Sequence, residues 1–219
     1  MTSFSSRMLR SLAMMLIWPI GNVAYGQAAK ELKADVIELT TSRVYVLVDK
    51  KGLGHAHGVE GRLKSGRLKL DAKDQAGQIV FDMGSFVADS AAARRIVGLS
   101  GEIDSETQKK ISDTMTGPKV LDVEQYPTAT FAIDSSIATG KKSTQGHVLY
   151  DLKGQFTLHG TTSPLTVTVE AVPAEKITRV RGKFTVLQSD YGIKPYSAAL
   201  GTVGVADELT IWGEIDLGT

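Results

Sequence analysis

The sequence predicts an all-β protein, an extended antiparallel β-barrel of about eight strands, with one or two short helices inserted around residues 90–115. Apolar residues recur at every second position from Val36 onward, which is typical of half-buried strands. Helical spacing occurs in a single interruption between these strands. The sequence contains no cysteine, so packing of a core rather than disulfide bonds must stabilise the fold.

The first 26 residues have the pattern of a secretory signal peptide. Arg7 and Arg10 precede an apolar run from Leu12 to Ile20, and Ala24-Tyr25-Gly26 provides a small-residue cleavage site. The run is much shorter than the roughly 20 residues that span a bilayer. The sequence therefore predicts cleavage after Gly26, export to the periplasm or beyond, and no transmembrane segment in the mature chain. A buried N-terminal helix is the open alternative.

The composition excludes several classes of function. Removing the first 26 residues lowers Lys+Arg from 25 to 23 against 24 Asp+Glu, so the net charge changes from +1 to −1. Nucleic-acid binding is not predicted, because there is no excess of basic residues. The lack of cysteine excludes cysteine nucleophiles and thiolate metal sites. A chain of this length buries one large core without splitting, so residues 27–219 are predicted to form a single domain.

The first strands predict a tight hairpin. The string Lys64-Ser65-Gly66-Arg67 is typical of a two-residue turn. This turn pairs Leu63 with Leu68, Gly61 with Leu70 and Val59 with Ala72. The inward residues of one strand then lie opposite the inward residues of the other. On this register the inward face of the strand before the turn consists of His55, His57, Val59, Gly61 and Leu63. The charged residues Glu60, Arg62 and Lys64 are expected to face solvent, unless a bulge at Gly58 or Gly61 reverses the faces.

The other strands follow from the same alternation, and about eight or nine strands are enough to close a barrel. Their predicted inward residues are Val44, Val46 and Val48; Ile79, Phe81 and Met83; Phe131 and Ile133; Val148, Tyr150, Leu152, Phe156 and Leu158; Leu165, Val167 and Val169; Val180, Phe184 and Val186; and Leu209, Ile211, Ile215 and Leu217.

Two short helices are predicted between these strands. Asp89 precedes residues 90–97, and Gly98 follows them, which indicates a short capped helix. A second helix is indicated by a capping box at residues 105–108 and ends at Gly117-Pro118. Its inward face is indicated by Ile103, Thr107, Ile111 and Met115, which recur every four residues and are apolar except for Thr107.

His55 and His57 are the candidate metal ligands. Two histidines at positions i and i+2 of a strand project to one face, as half of a zinc or copper site would require. The hairpin register places Asp74 near His57 as a third ligand or a hydrogen-bond partner. Structural histidines at the barrel rim are the alternative, and both interpretations remain open. His147 and His159 fall on the outward face and do not complete this site.

The inward aromatic residues and the interior glycines Gly61 and Gly154 predict either a packed core or room for one small ligand. From the residues alone these alternatives stay open. The sequence contains no G-x-S-x-G, H-E-x-x-H, phosphate-loop or dinucleotide motif. An enzyme is therefore not predicted.

Four strings carry a resemblance to a known family. They are Leu121-Asp-Val-Glu-Gln-Tyr126-Pro127-Thr-Ala-Thr-Phe131, Gly154-Gln-Phe156-Thr-Leu158-His159-Gly160-Thr-Thr-Ser-Pro164, Ser189-Asp190-Tyr191-Gly192-Ile193 and Asp207-Glu208-Leu209-Thr210-Ile211. In order and spacing, from Val36 to Leu217, they resemble the YceI-like family of lipocalin-like barrels. Gln188 departs from the family pattern, in which a basic residue is common at this position.

The resemblance implies a non-enzymatic barrel that binds, carries or sequesters a polyisoprenoid or isoprenoid quinone and requires no cofactor. The implied ligand-binding residues are Val59, Leu63, Leu68, Leu70, Ile79, Phe81, Phe131, Ile133, Tyr150, Leu152, Phe156, Leu158, Phe184 and Val186. The alternative is a metal- or haem-binding barrel that uses His55 and His57. The predicted partner is an apolar lipid, and a homodimer is compatible with the sequence.

Overall fold

The computed structural model describes residues 35–218. The alternating segments of this range form nine strands, and the first pairs with both the second and the last. The strands are β1 (Arg43–Gly52), β2 (His57–Leu68), β3 (Gly77–Ala88), β4 (Thr128–Lys142), β5 (Val148–Leu158), β6 (Thr161–Ala174), β7 (Ile177–Leu187), β8 (Ser197–Ala198) and β9 (Val203–Gly218). Strands β1–β7 and β9 close an antiparallel barrel, and the two-residue β8 adds to β9. The predicted all-β barrel of about eight strands is confirmed. The predicted signal peptide lies outside the described residues.

Both predicted helices form between β3 and β4, as α1 (Ala91–Ile96) and α2 (Ser105–Thr116). The predicted caps are each wrong by one residue. Ser90 caps α1 by accepting a hydrogen bond from the N–H of Ala93 at 3.0 Å, because Asp89 is turned into the protein with a φ of 54°. Asp104 caps α2 through the N–H groups of residues 106 and 107. In the described range, no helix is long and apolar enough to cross a membrane.

The strand order gives the barrel two different ends. The β2–β3, β4–β5 and β6–β7 turns lie at one end, which we call the hairpin end. The other end, which we call the helical end, carries the β1–β2 loop, α1, α2 and the β5–β6 turn. It also carries the β7–β9 connection, with short 3-10 helices at Gln188–Tyr191 and Ala199–Gly201. The two longest connections, β3–β4 and β7–β9, therefore both lie at the helical end.

The predicted hairpin at Ser65-Gly66 is wrong, because β2 continues through these residues to Leu68. Ser65 pairs with Val80 and Gly66 with Ile79 of β3, and the turn lies at residues 69–76. The register shifts between Leu63 and Ser65, where β2 contains one extra residue. This bulge changes the parity, so Leu63 and Leu68 are both buried on a single strand.

The predicted inward residues are buried or partly buried, with two exceptions, His55 and Val148. Val148, at the hairpin end of β5, is 37% exposed. Arg62 and Lys64 are exposed as predicted. Glu60 is only partly exposed, because its carboxylate accepts a hydrogen bond from Ser90 Oγ at 2.9 Å and lies 3.4 Å from Arg43 Nε. The outward face of β2 is therefore partly covered at the start of α1.

Two of the four strings that carry the resemblance, those with Tyr126 and with His159-Gly160, meet at the helical end. Tyr126 precedes β4, and His159 and Gly160 form the β5–β6 turn with φ angles of 49° and 74°. The rings of Tyr126 and His159 lie 4.2 Å apart between centroids. Gly160 is packed so closely against Tyr126 that a Cβ atom would lie 2.8 Å from the ring. The aromatic ring and the turn thus hold each other in place.

Candidate functional site: the barrel lumen

Three cavities follow one another inside the barrel. The mouth cavity, of about 230 Å³, lies at the helical end, between α2 and the strands β1 and β2. The middle cavity and the inner cavity have volumes of about 90 Å³ and 60 Å³. Neighbouring cavities share wall residues. The mouth and middle cavities share Val48, Val59, Met115 and Val120, and the middle and inner cavities share Val44, Phe81, Phe156, Phe184 and Ile211. The three cavities therefore form one apolar series from the helical end into the barrel.

Nine of the fourteen predicted ligand-binding residues line this series. They are Val59, Leu68, Ile79, Phe81, Phe131, Leu152, Phe156, Leu158 and Phe184. The other five belong to the core or pack against it without lining these three cavities: Leu63, Leu70, Ile133, Tyr150 and Val186. Strand parity thus identifies inward residues, but it does not separate the cavity wall from the solid core.

Sequence reasoning missed the part of the wall that comes from α2 and the loop behind it. Ile111 and Met115 of α2 and Val120 and Leu121 of the loop pack against the barrel core and line the mouth or middle cavity. The N–H of Leu121 donates to the carbonyl of Met115 at 3.0 Å, which folds the loop back against the helix. We call residues 105–123 the roof. The four-residue apolar repeat of α2 was the signal that could have revealed this role.

A second element closes the helical end beside the β5–β6 turn. Tyr191 and Ile193 are buried, and the Tyr191 ring stands edge-on against Phe156 at 5.5 Å between centroids. Burial raises the pKa of the Tyr191 hydroxyl above its usual value. Gln188 is also buried, and its Nε2 donates to the carbonyl of Ala206 at 2.8 Å. The neutral amide of Gln188 makes this buried hydrogen bond without the cost of burying a charge.

His57 is placed at the mouth by a buried carboxylate. Its Nδ1 lies 2.7 Å from Oδ2 of Asp89, whose side chain is inaccessible to solvent. Oδ1 of Asp89 accepts the N–H of Gly58 at 3.1 Å and Nη1 of Arg94 at 2.9 Å. Burial alone would raise the pKa of Asp89, but the hydrogen bonds from His57, Gly58 and Arg94 outweigh it and lower the pKa. Asp89 is therefore an ionised anchor for the imidazole.

The prediction that His55 faces the lumen is wrong. His55 is exposed and precedes β2, so it does not project from the strand beside His57. Asp74 lies in the β2–β3 turn at the hairpin end, whereas His57 lies at the helical end, so Asp74 is not a third ligand. Among residues 35–218, no group of three His, Cys, Asp or Glu side chains is placed to hold a metal ion.

The other two histidines take structural positions away from His57. Nδ1 of His147 lies 2.7 Å from Oε1 of Glu170, beside the β4–β5 hairpin. Ser143 Oγ donates to the same carboxylate oxygen at 2.5 Å. These bonds lower the pKa of Glu170, with the Ser143 bond as the larger cause. His159 is the turn residue that packs on Tyr126.

Taken together, the lumen suits an elongated apolar molecule with a small polar end. The middle and inner cavities are lined almost entirely by aliphatic and aromatic side chains. The polar side chains lie at the mouth, where His57, Lys110, Thr114 and Tyr196 contribute to the wall. Apolar walls with a few polar groups at one end are typical of small-molecule sites.

Comparison with known proteins agrees with this architecture. The family model described as "YceI-like domain" matches residues 36–217. Burkholderia cenocepacia BcnA is similar in structure, with 17% sequence identity and a TM-score of 0.54, over 82% of this chain and 98% of that chain. A polyisoprenoid binding domain from Saccharophagus degradans, implicated in plant cell wall breakdown, has 15% identity and a TM-score of 0.57 over 86% of this chain and all of that chain. No curated protein sequence matches this chain.

Proposed function

This chain belongs to the YceI-like family, and from that membership and the geometry of the lumen we propose that it binds a long-chain apolar lipid without catalysing a reaction on it. The ligand class is a polyisoprenoid or an isoprenoid quinone. The observation that carries the proposal is the series of three neighbouring apolar cavities, with shared wall residues, that leads from the helical end into the barrel.

The energetics of an apolar chain fit such a site. Each buried methylene contributes about 0.8 kcal/mol, so a five-carbon isoprene unit contributes about 4 kcal/mol. Association costs an estimated 4–15 kcal/mol in lost freedom, which a few enclosed isoprene units offset. Affinity therefore needs no charged anchor, and chain length is expected to dominate it.

The roof is the element that a long chain would displace. In α2 no residue is fully buried, and its two lysines form exposed i,i+4 pairs, Lys109 with Asp113 and Lys110 with Glu106. Such pairs contribute only about 0.3–0.5 kcal/mol each, so the helix is held mainly by Ile111, Met115 and the loop behind it. Admission of a chain at the mouth therefore requires the loss of these apolar contacts and of one hydrogen bond, from the N–H of Ala88 in β3 to Ser112 Oγ in α2 at 3.0 Å.

The name of the Saccharophagus degradans domain supports the same ligand class, since that protein is described as polyisoprenoid binding. The secretory pattern of the first 26 residues supports a place outside the cytoplasm. We therefore propose carriage or sequestration of the lipid in the periplasm or outside the cell.

Two measurements test the proposal. Mass spectrometry of an organic extract of the purified mature chain should detect a co-purifying isoprenoid, and titration with an isoprenoid quinone should show saturable binding. In Ala129→Leu, a residue that is 2% exposed and lines the middle cavity gains three carbons inside the lumen. Ala138→Leu makes the same change at an exposed position near the hairpin end of β4, outside the three cavities.

Ala129→Leu is expected to weaken quinone binding at least tenfold, while Ala138→Leu binds as the wild type does. The melting temperature of both variants controls for loss of fold, since added core volume costs about 1–3 kcal/mol. Absence of both a co-purifying lipid and quinone binding would disprove the proposal. Equal binding by a folded Ala129→Leu would place the ligand outside the middle cavity.

A further inference from the structure

The hydrogen bond between His57 and Asp89 fixes the tautomer of the imidazole. Asp89 is an ionised acceptor, so the Nδ1 of His57 that faces Oδ2 at 2.7 Å must carry the proton. In the neutral ring Nε2 then has a lone pair and no proton. Nε2 makes no hydrogen bond to any residue within 35–218, and the His57 side chain is 22% exposed and lines the mouth cavity.

The polar groups around His57 differ in what they offer a ligand. Thr114 donates its hydroxyl hydrogen to the carbonyl of Lys110 at 2.8 Å. Lys110 pairs with Glu106 at 2.7 Å through one of its protons and can donate only. When its ring is neutral, His57 is thus an oriented acceptor at the entrance to an apolar lumen, and such a group recognises a hydrogen-bond donor.

We propose that His57 recognises a hydroxyl head group, so that the ligand is an isoprenoid alcohol or phenol, such as a polyprenol or a quinol. The hydroxyl donates to Nε2 of His57 in the mouth cavity, and the chain follows the middle and inner cavities. This inference rests on the proposed function and narrows its ligand class. A hydrocarbon, an ether or an oxidised quinone provides no proton for Nε2.

A purely structural role for His57 explains the geometry less well. Asp89 already accepts from the backbone of Gly58 and from Arg94, and Ser90 caps α1 independently. The link from β2 to the start of α1 therefore exists without the imidazole. His57 adds a polar ring to the wall of an apolar cavity, with one nitrogen directed to Asp89 and the other without a partner in the described range.

Matched ligands test the proposal directly. Geranylgeraniol and its methyl ether share one chain and differ in the donor hydrogen, and each is titrated at pH 8 into the purified mature protein. The wild type is expected to bind the alcohol about two- to tenfold more tightly, the range that one net hydrogen bond provides. In His57→Phe the ratio of the two affinities should fall to about one.

Asp89→Asn tests recognition of the hydroxyl group without removing the His57 ring from the cavity wall. Gly58 and Arg94 both bond Oδ1, and His57 faces Oδ2. In Asp89→Asn, the amide oxygen takes the place of Oδ1 and keeps the bonds from Gly58 and Arg94. The amide nitrogen takes the place of Oδ2 and donates to Nδ1 of His57. The proton of the neutral ring moves to Nε2, and the preference for the alcohol should disappear. Nitrogen-15 NMR of labelled histidine reports the tautomer in each protein.

The outcomes separate this inference from the proposed function. If neither the alcohol nor the ether binds the wild type, the proposed function fails. Equal binding of both by the wild type leaves the lipid-binding function standing and overturns the role of His57. An unchanged ratio in folded His57→Phe, or in Asp89→Asn with the tautomer shifted, also overturns it. The wild-type comparison decides the question even where a variant fails to fold.

Discussion

The ring of Phe86 fills the space that Gly61 leaves in the barrel wall. A Cβ atom on Gly61 would lie 2.4 Å from Cε2 of Phe86, far inside contact distance. Gly61 belongs to β2 and Phe86 to β3, in the stretch where the register between these strands shifts. The ring also lines the middle cavity. The glycine therefore serves to seat an aromatic wall residue, and its missing side chain is not ligand space.

Gly61→Ala is expected to lower the free energy of unfolding by about 1–3 kcal/mol, because the Phe86 ring must move. Gly213→Ala in β9 is the matched control, since a Cβ atom there meets nothing within 4 Å. Combining Gly61→Ala with Phe86→Leu should recover part of the loss, and urea unfolding of the four proteins in the cycle measures this coupling. Strictly additive effects would mean that the two residues do not interact.

The sequence predicted the fold well because the barrel interior imposes strand parity. Alternation placed Val59 and Leu63 inside correctly, and the closed sheet confirms the strands. The hairpin at Ser65-Gly66 failed for a local reason. A bulge between Leu63 and Ser65 changes the parity within one strand. From the sequence, this pattern is the same as that of a turn followed by a returning strand, so parity alone does not separate them.

The candidate site was less predictable, because its specific features depend on contacts between distant segments. The apolar stripe of α2 was visible, but its position over the barrel mouth follows from tertiary packing of Ile111 and Met115. The sequence predicts Asp89 as the cap of α1, because aspartate is favoured at N-cap positions. Its actual partner, His57, lies 32 residues earlier in the chain, at the start of β2. Periodicity contains no information about such a pair.

The contact between Tyr126 and Gly160 predicts a measurable effect on stability. Gly160→Ala adds the cost of a side chain at a φ of 74° to a clash with the Tyr126 ring at 2.8 Å. Gly140 has the same φ of 74° and open space around it, so Gly140→Ala pays only the backbone cost of about 1 kcal/mol. Thermal unfolding should show Gly160→Ala to be the less stable variant by at least a further 1 kcal/mol. Equal melting temperatures would show that the ring moves freely.

Ser136 offers a stabilising substitution. Its side chain is fully buried in β4, and its Oγ has no hydrogen-bond partner within the described part of the chain. A buried hydroxyl without a partner costs about 1–3 kcal/mol, so Ser136→Ala is expected to raise the free energy of unfolding by about 1 kcal/mol after the loss of packing. Its backbone N–H bond to the carbonyl of Ala72, at 2.8 Å, is unaffected. Destabilisation in urea would indicate that a bound water satisfies the hydroxyl.

The ion pair between Asp216 and Arg179 predicts how stability depends on pH. Arg179 donates to both carboxylate oxygens of Asp216, at 2.7 and 2.9 Å, across the β7–β9 pair. The bonds from Arg179 lower the pKa of Asp216 and outweigh its burial, which acts in the opposite direction. A carboxyl group whose pKa is lower in the folded state stabilises the protein above the unfolded-state pKa of about 3.9, and this contribution is lost as the pH falls through the folded-state pKa.

Asp216→Asn is therefore expected to reduce the free energy of unfolding by about 1–3 kcal/mol at pH 7. The amide of the asparagine has one oxygen, so it can accept only one of the two hydrogen bonds from Arg179. The difference from the wild type should shrink as the pH falls below about 4. Glu214→Gln is the control, because its pair with Arg181 on the same two strands is 2.9 Å long but exposed, and an exposed pair contributes about 0–1 kcal/mol. Urea unfolding between pH 3 and pH 8 measures the free energy of unfolding of the wild type, Asp216→Asn and Glu214→Gln. A constant difference between Asp216→Asn and the wild type across this range would show that the stabilisation is steric, because an ionisation-linked contribution must disappear once the carboxylate is protonated in the folded state.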